Sequence, residues 1–298
     1  MERDGHPYQS ITYKTVGSLP IKLDLYLPSA SSSSSKTPIL VWYHGGGLLN
    51  GSRAAVKPHT YSPLEHGYAL VSPDYRLAPQ VPAREILTDV LDCLSFVRDK
   101  LQEHVPASSG ITFDKSRICV SGSSAGGYIS LLAGLYSDVP KVLLPIYPMT
   151  DCWGTFFTNP QMQGVKEGHI DKSVVAPFLD KNAEVMADND PSSPRQLIYS
   201  YMLQEAILPE LWDVEKGDEK MTIRLAIMKK GSMPPSYIVH GDADTRVGVE
   251  QADEVVQALK DIGAEVVYER LPGLDHSFDI EPKYTMDEMY AFMYKHMQ

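Results

Sequence analysis

The run 118-ICVSGSSAGGYISLLAGLY-136 leaves the chain very little freedom. An apolar, strand-like stretch from Ile118 to Val120 meets the small residues Ser121 to Gly127. A helical pattern follows at once through Tyr128, Ile129, Leu131, Leu132 and Leu135. There is no room for an ordinary loop, so strand must turn into helix at a corner. Gly122-x-Ser124-x-Gly126 occupies that corner. The two glycines clear space where side chains would strike the neighbouring strand and helix, and the serine between them takes up a strained backbone. Its hydroxyl then stands at the C-terminal end of a strand and the N-terminus of a helix, where developing negative charge is favoured. Alone, the motif is weak evidence, because small residues are common at tight strand–helix turns.

The rest of the chain supplies the setting. Short, continuously apolar runs recur as "ILVWYH" from Ile39, "YALVSP" from Tyr68, "RICVSG", "KVLLPIYP", "SYIVHG" and "EVVYERLPG". Runs of this kind suit strands covered on both faces. Helical periodicity lies between several of them, in "AREILTDVLDCLSFVRDKLQEH", in "VEQADEVVQALKDIG" with Gly263 placed to end it, and in "TMDEMYAFMYKHM". Strand and helix in alternation predict an α/β fold, a mostly parallel central sheet with helices on both faces. Two alternating strands, "ITYKTVG" and "IKLDLYLP", precede it, and the polar segment 29-SASSSSSKTP-38 reads as an exposed connecting loop. Between 151 and 232 the alternation breaks into helical pieces among Pro, Gly, Asn and Asp. The expected organisation is therefore a catalytic core from 1–150 and 233–298 with a helical cap, or lid, inserted at 151–232.

Charge and cysteine usage narrow the classes further. A formal net charge of −11 repels phosphate backbones and gives no attraction to anionic membranes, so neither nucleic acid nor membrane is expected as a partner. The three cysteines, Cys93, Cys119 and Cys152, form no CxxC pair. Cys93 and Cys119 sit in apolar runs and read as core residues of a chain in a reducing compartment. The polar start MERDGHPYQS is unlike a signal peptide, and no apolar run approaches a membrane span, so the expected location is cytoplasmic.

A serine hydroxyl needs a base, and the base needs an orienting group. On folds of this kind the chain order is Ser, then Asp or Glu, then His. Asp244 lies in 240-HGDADTRV-247 past one strand, and His276 in 271-LPGLDHSFD-279 past the last. Asp242 competes with Asp244 as the acid. Asp275 adjoins His276 but is expected to point away from it. A further strand ends in His44-Gly45-Gly46-Gly47, whose bare amides suit a developing oxyanion together with the N–H of Ala125. The catalytic reading is Ser124, Asp244 and His276, with Gly46, Gly47 and Ala125 as oxyanion hole. No metal motif or dinucleotide fingerprint stands at the required positions, and no cofactor is expected.

HGGG at 44–47, DYRLAP at 74–79, GSSAGG at 122–127, HGDADTRV at 240–247 and the late His276 together resemble the α/β-hydrolase fold-3 group, the hormone-sensitive-lipase-like esterases and carboxylesterases. The resemblance runs from about residue 20 onward. It implies the same triad and oxyanion hole, and makes His44, Gly45 and the DYRLAP segment structural supports. From the residues alone, Asp74 and Arg76 read as a local ion pair. Two departures stand out. Ser123 replaces an acid often found before the nucleophile, and the N-terminal arm is short, so the cap would come mainly from 151–232.

The function expected is carboxylic ester hydrolysis on small to medium apolar substrates through an acyl-enzyme, with a small-molecule ester as partner and a homodimer left open. An intact triad serves acyl transfer or other non-hydrolytic work on a biosynthetic, secondary-metabolite intermediate equally well, since only the acceptor differs. A non-catalytic ligand receptor on the same scaffold is a third class, which product analysis and nucleophile replacement separate from the others. Some of the cap's aromatic and methionine residues, from Trp153 to Trp212, are expected to line an apolar pocket.

Overall fold

The computed structural model describes residues 1–28 and 36–298; residues 29–35 of the expected serine-rich loop lie outside the described residues. Strands β1 (Glu2–Arg3) and β2 (His6–Pro7) pair as a small separate hairpin. Strands β3 (Gln9–Val16), β4 (Leu19–Tyr26), β5 (Thr37–Tyr43), β6 (Ala69–Pro73), β7 (Phe113–Ser123), β8 (Val142–Ile146), β9 (Ser236–Gly241) and β10 (Val266–Leu271) form one sheet in the order β10-β9-β8-β7-β5-β6-β4-β3. From β10 to β6 every pairing is parallel; β4 and β3 add antiparallel strands at one edge.

The continuous apolar runs are explained by cover on both faces. Along β5, Ile39, Val41 and Tyr43 turn to one core and Leu40 and Trp42 to the other. The first core is completed by α2 (Ala83–Asp99), α3 (Ala125–Tyr136) and α8 (Glu250–Asp261), the second by α1 (Ser62–Glu65) and α9 (Asp287–His296). Each fully buried Leu, Ile or Val contributes about 1.5–3 kcal/mol of transfer free energy. The periodicity of α8 does what its spacing predicts. Ala252, Val255, Val256 and Leu259 are buried on one face, and the turn closes at Gly263, whose φ of +70° places it in the left-handed region.

Two expectations need correction. Strand β10 is not covered on both faces: it is the sheet edge, paired among the described residues with β9 alone, and none of its residues is fully buried. Asp74 and Arg76 do not pair with each other. Arg76 reaches buried Asp89 at 2.8 Å, whereas the Asp74 carboxylate takes the Arg53 guanidinium and the Arg53 amide. Asp89 on α2 offers Arg76 both carboxylate oxygens, at 2.8 and 3.0 Å, a bidentate geometry that wins over the neighbour in sequence. Cys93, Cys119 and Cys152 are free and buried.

Between β8 and β9 no strand occurs among the described residues. Instead the chain runs through α4 (Lys172–Leu179), α5 (Ile198–Glu205), α6 (Leu208–Trp212) and α7 (Ile223–Lys230) with single turns between them. This helical insertion is fastened to the sheet's end by side chains bonding to backbone. Trp212 Nε1 donates to the Gly47 carbonyl at 2.7 Å, and buried Arg195 donates to the Leu49 and Ala78 carbonyls at 2.8 Å each. Among the described residues, no helix is long and apolar enough to cross a membrane.

Candidate active site

The corner at Ser124 is as tight as its glycines require. Ser124 has φ +59° and ψ −119° between the end of β7 and the start of α3. Its amide donates to the Ile146 carbonyl at 2.9 Å, and its carbonyl accepts from Tyr128 at 3.1 Å. A Cβ on Gly126 would lie 2.0 Å from the Tyr43 carbonyl oxygen, and one on Gly122 would lie 2.5 Å from Gly126 backbone atoms. No other residue type fits either position without moving the backbone. The exchange of strand for helix thus rests on two missing methyl groups.

His276 arrives in the loop after β10. Its Nδ1 lies 2.7 Å from Asp244 Oδ2, in the loop after β9. This contact puts the ring proton on Nδ1 and leaves the Nε2 lone pair free. Asp244 is held on every side. Its Oδ1 accepts from the amides of Arg246 and Val247 at 2.8 Å each, and His240 Nε2 stands 3.3 Å from Oδ2. Burial acts to raise the Asp244 carboxyl, but the charge on His276 and the hydrogen bond from His240 outweigh it and hold the group well below the ordinary carboxylate range. Asp244 is therefore an anion fixed in orientation.

The two competing acids have other tasks. Asp275 turns away from the imidazole. Its Oδ1 accepts from the Thr245 amide and hydroxyl at 2.9 Å each, and its Oδ2 pairs with Lys166 at 2.9 Å. Burial raises its carboxyl, but the Thr245 amide and the Lys166 ammonium bring it down to about 2. Asp242 Oδ1 accepts from the Gly273 amide at 2.7 Å. Both brace the His276 loop against the Asp244 loop.

Ser124 and His276 line one cavity of about 490 Å³, with Gly45, Gly46, Asn50, Gln196 and Tyr147 among the other walls. A second arm of about 370 Å³ opens from the same Ser124 and His276 toward Tyr199 and Arg246. Among the described residues no hydrogen bond joins Ser124 to His276, and such contacts commonly tighten only when substrate binds. Gly46 and Gly47 take φ values of +103° and +67°. A Cβ on Gly46 would sit 2.2 Å from the Asn50 carbonyl oxygen, and one on Gly47 would sit 2.4 Å from the Tyr199 ring. The amides of Gly46, Gly47 and Ala125 have no partner within the chain among the described residues. Gly45 packs on Ser124: a Cβ there would come within 3.2 Å of the serine Cβ.

His44 lies beneath this loop, fully buried, with Nδ1 donating to the Gly45 carbonyl at 2.8 Å and its ring stacked 4.3 Å from Tyr75. Burial pushes it down to about 4, against the upward pull of that carbonyl, so it stays neutral. Among the described residues no group of three or more His, Cys, Asp or Glu side chains is arranged to hold a metal ion.

Several wall residues were not legible in the sequence. Tyr147 sets its ring centroid 4.4 Å from that of His276, tilted by 56°, and gives its hydroxyl to Asp279. His240 lay inside a quoted motif, yet only the fold puts it on Asp244. The aromatic and methionine residues of the insertion, expected in part to line a pocket, divide unevenly. Tyr199 lines the cavity, whereas Phe157, Tyr201, Met202 and Trp212 are buried in the hydrophobic core, Trp212 against Tyr128 of α3, and Met162 is exposed. The insertion also turns polar side chains to the cavity, Asn189 and Gln196 among them, beside Pro191.

Comparison with known proteins agrees with this geometry. A protein of unknown function from Staphylococcus aureus superposes with a TM-score of 0.76 at 19% identity, over 98% of this chain and 100% of that one. A hyperthermophilic esterase from Pyrobaculum calidifontis does so with a TM-score of 0.66 at 20% identity, over 98% and 85%. Among curated sequences, the non-reducing polyketide synthase pkbA of Emericella nidulans is 25% identical over 91% of this chain but only 13% of its own length. The chain spans about an eighth of the length of the curated relatives it matches. Residues 23–259, most of the chain, match the BD-FAE family model, and the protein accordingly belongs to the BD-FAE family, with the α/β-hydrolase fold.

Proposed function

We propose that the protein is a carboxylic ester hydrolase acting through Ser124, His276 and Asp244. The observation that carries this reading is the 2.7 Å contact between His276 Nδ1 and Asp244 Oδ2 on the wall of the cavity that Ser124 also lines. His276 Nε2 takes the proton from Ser124 as Oγ attacks the ester carbonyl. The Gly46, Gly47 and Ala125 amides receive the oxyanion, each such donor being worth roughly 2.7–4 kcal/mol in reactions of this class. The imidazolium, steadied by Asp244, protonates the leaving alcohol, and a water activated by the same nitrogen releases the acid. Gly45 and His44 hold the oxyanion loop at its working height. Two arms meeting at Ser124 suit the two halves of a small ester.

In this reading 1–150 and 233–298 form the catalytic core, and 151–232 is a lid over the site. Initial rates on p-nitrophenyl esters from acetate to palmitate, for wild type and Ser124→Ala, test it. A rate that is highest on short or medium chains and lost in the variant is expected; a rate that survives in the variant overturns it. A second reading has its own support, because the curated relatives are named as non-reducing polyketide synthases. There the same acyl-enzyme would pass its acyl group to an acceptor other than water, and product analysis with added alcohol or thiol acceptors separates the two.

A further inference from the structure

We propose that the second arm of the cavity is a carboxylate subsite headed by Arg246, so that the preferred ester carries an anionic group beside its reacting carbonyl. This rests on the esterase reading above. Arg246 follows the acid loop, and its amide donates to Asp244 Oδ1 at 2.8 Å, which ties its position to the catalytic acid. Its side chain is equally fixed. Nη1 donates to the Gly164 carbonyl and Nη2 to Ser200 Oγ, both at 3.1 Å, and the guanidinium lies 5.0 Å from the centroid of the Tyr199 ring. The Tyr199 hydroxyl in turn donates to the Arg246 carbonyl at 2.7 Å. A guanidinium has five N–H donors. These two contacts leave the others free on a wall shared with Ser124 and His276.

What sets Arg246 apart is its missing counter-charge. Among the described residues, the other arginine without a carboxylate in salt-bridge range is Arg195, which is fully buried, lines neither arm and gives three donors to the Leu49 and Ala78 carbonyls and to Gln80. The remaining charges on the arm do not supply one. Lys166 is paired with Asp275 at 2.9 Å, and Glu167, exposed on the same wall, makes no ion pair. Asp244 is saturated by two histidines and two amides. A half-buried cation with free donors gains most from a planar anion that matches its fork, and a carboxylate is that anion. The chain as a whole, at −11, repels anions, so a site meant for one needs a cation that no internal acid neutralises.

The test compares matched esters. Mono-4-nitrophenyl adipate against 4-nitrophenyl hexanoate places the carboxylate on the acyl side; 3-carboxyphenyl butyrate against 3-methylphenyl butyrate places it on the alcohol side. The readout is the anionic-over-neutral ratio of kcat/KM. In Arg246→Gln this ratio is expected to fall roughly tenfold or more on one of the two pairs, with partial recovery in Arg246→Lys and a rise in Glu167→Gln. Should Arg246→Gln fold poorly, wild type alone suffices: its ratio is expected to fall as salt is raised. An equal loss on both members of each pair assigns Arg246 a purely structural role and overturns the proposal, as does a ratio indifferent to both the variants and salt. A rate that persists in Ser124→Ala overturns the esterase reading, and the subsite with it.

Discussion

The corner at Ser124 and the insertion over it bound the same cavity and are built in opposite ways. The corner is made of backbone. Its shape depends on a serine at φ +59° and on glycines whose missing Cβ atoms would stand 2.0–2.5 Å from main-chain atoms. The insertion is made of side chains. Its short helices are anchored through Trp212, Arg195 and Tyr199, each donating to a carbonyl of the core. A backbone site admits one solution, so it recurs as a motif. A side-chain clamp admits many, so it leaves no fixed pattern. The difference predicts that core changes alter chemistry or folding outright, whereas cap changes adjust affinity and stability by small steps.

The largest effect expected within the core is at the acid. In Asp244→Asn the amide oxygen still accepts from Arg246 and Val247, so the loop survives, but the amide NH₂ faces His276 Nδ1 and imposes the wrong tautomer. Turnover should fall on the order of 10⁴-fold with little change in Tm. A loss under about tenfold would remove Asp244 from the chemistry and leave the corner without its partner.

Gly126→Ala attacks the corner itself. The new methyl must displace the Tyr43 carbonyl, in the strand beside the oxyanion loop. Overpacking of this kind costs typically 1–3 kcal/mol and more where backbone must move, so denaturant midpoints should drop and activity with them. A fully stable, active variant would show that the elbow has slack the geometry denies.

The corner was legible for the reason just given. G-x-S-x-G, HGGG and the Asp–His order are spacing constraints on backbone, and the parallel sheet follows from apolar runs too continuous for one-sided burial. Edge position was not legible: "EVVYERLPG" opens like the buried runs in composition, yet none of Val266–Leu271 is fully buried. The cap's pocket was not legible either. Most of its aromatic residues went into the hydrophobic core, and the cavity wall took a mixture, Tyr199, Pro191 and polar side chains such as Gln196, with no periodicity to mark it. Ion-pair partners failed likewise. Arg76 finds Asp89 on a helix and not Asp74 two residues away, because the packed helix presents both carboxylate oxygens to the guanidinium, a contact between distant parts of the chain.

His44 sharpens the core's side of the comparison through pH. Burial brings its folded value down to about 4, below about 6.5 in the unfolded chain. The unfolded state therefore binds the extra proton between these values. Stability from keeping His44 neutral is complete above about pH 6.5 and is lost as pH falls toward 4, by about 3 kcal/mol in all. Asp244, displaced downward, contributes its loss only below about pH 3.8. Burial raises Asp74 to about 7 and works in the opposite sense over the same range. The His44 window is therefore read as the difference in denaturant-unfolding slope with pH, at pH 7, 5.5 and 4, between wild type and His44→Gln, with less loss toward pH 4 expected in the variant. Identical slopes would mean that the oxyanion loop does not need a neutral histidine under it.

The smallest effect belongs to the seam between the two regions. Tyr199 sits on the cap, its ring filling the space a Gly47 side chain would occupy and its hydroxyl bonded to the Arg246 carbonyl. Tyr199→Phe keeps the ring and leaves one buried carbonyl without a donor, which should cost about 1 kcal/mol. For a chain of this size that is a fall of about 2 °C in Tm, with kcat on a neutral ester changed by no more than a few-fold. The split between these readouts is the informative part. If kcat instead falls as far as it does in Asp244→Asn, then the cap reaches through Arg246 into the acid loop and sets the triad's geometry. The insertion would then be part of the catalytic frame, and its side-chain clamps would be under the same constraint as the glycines of the corner.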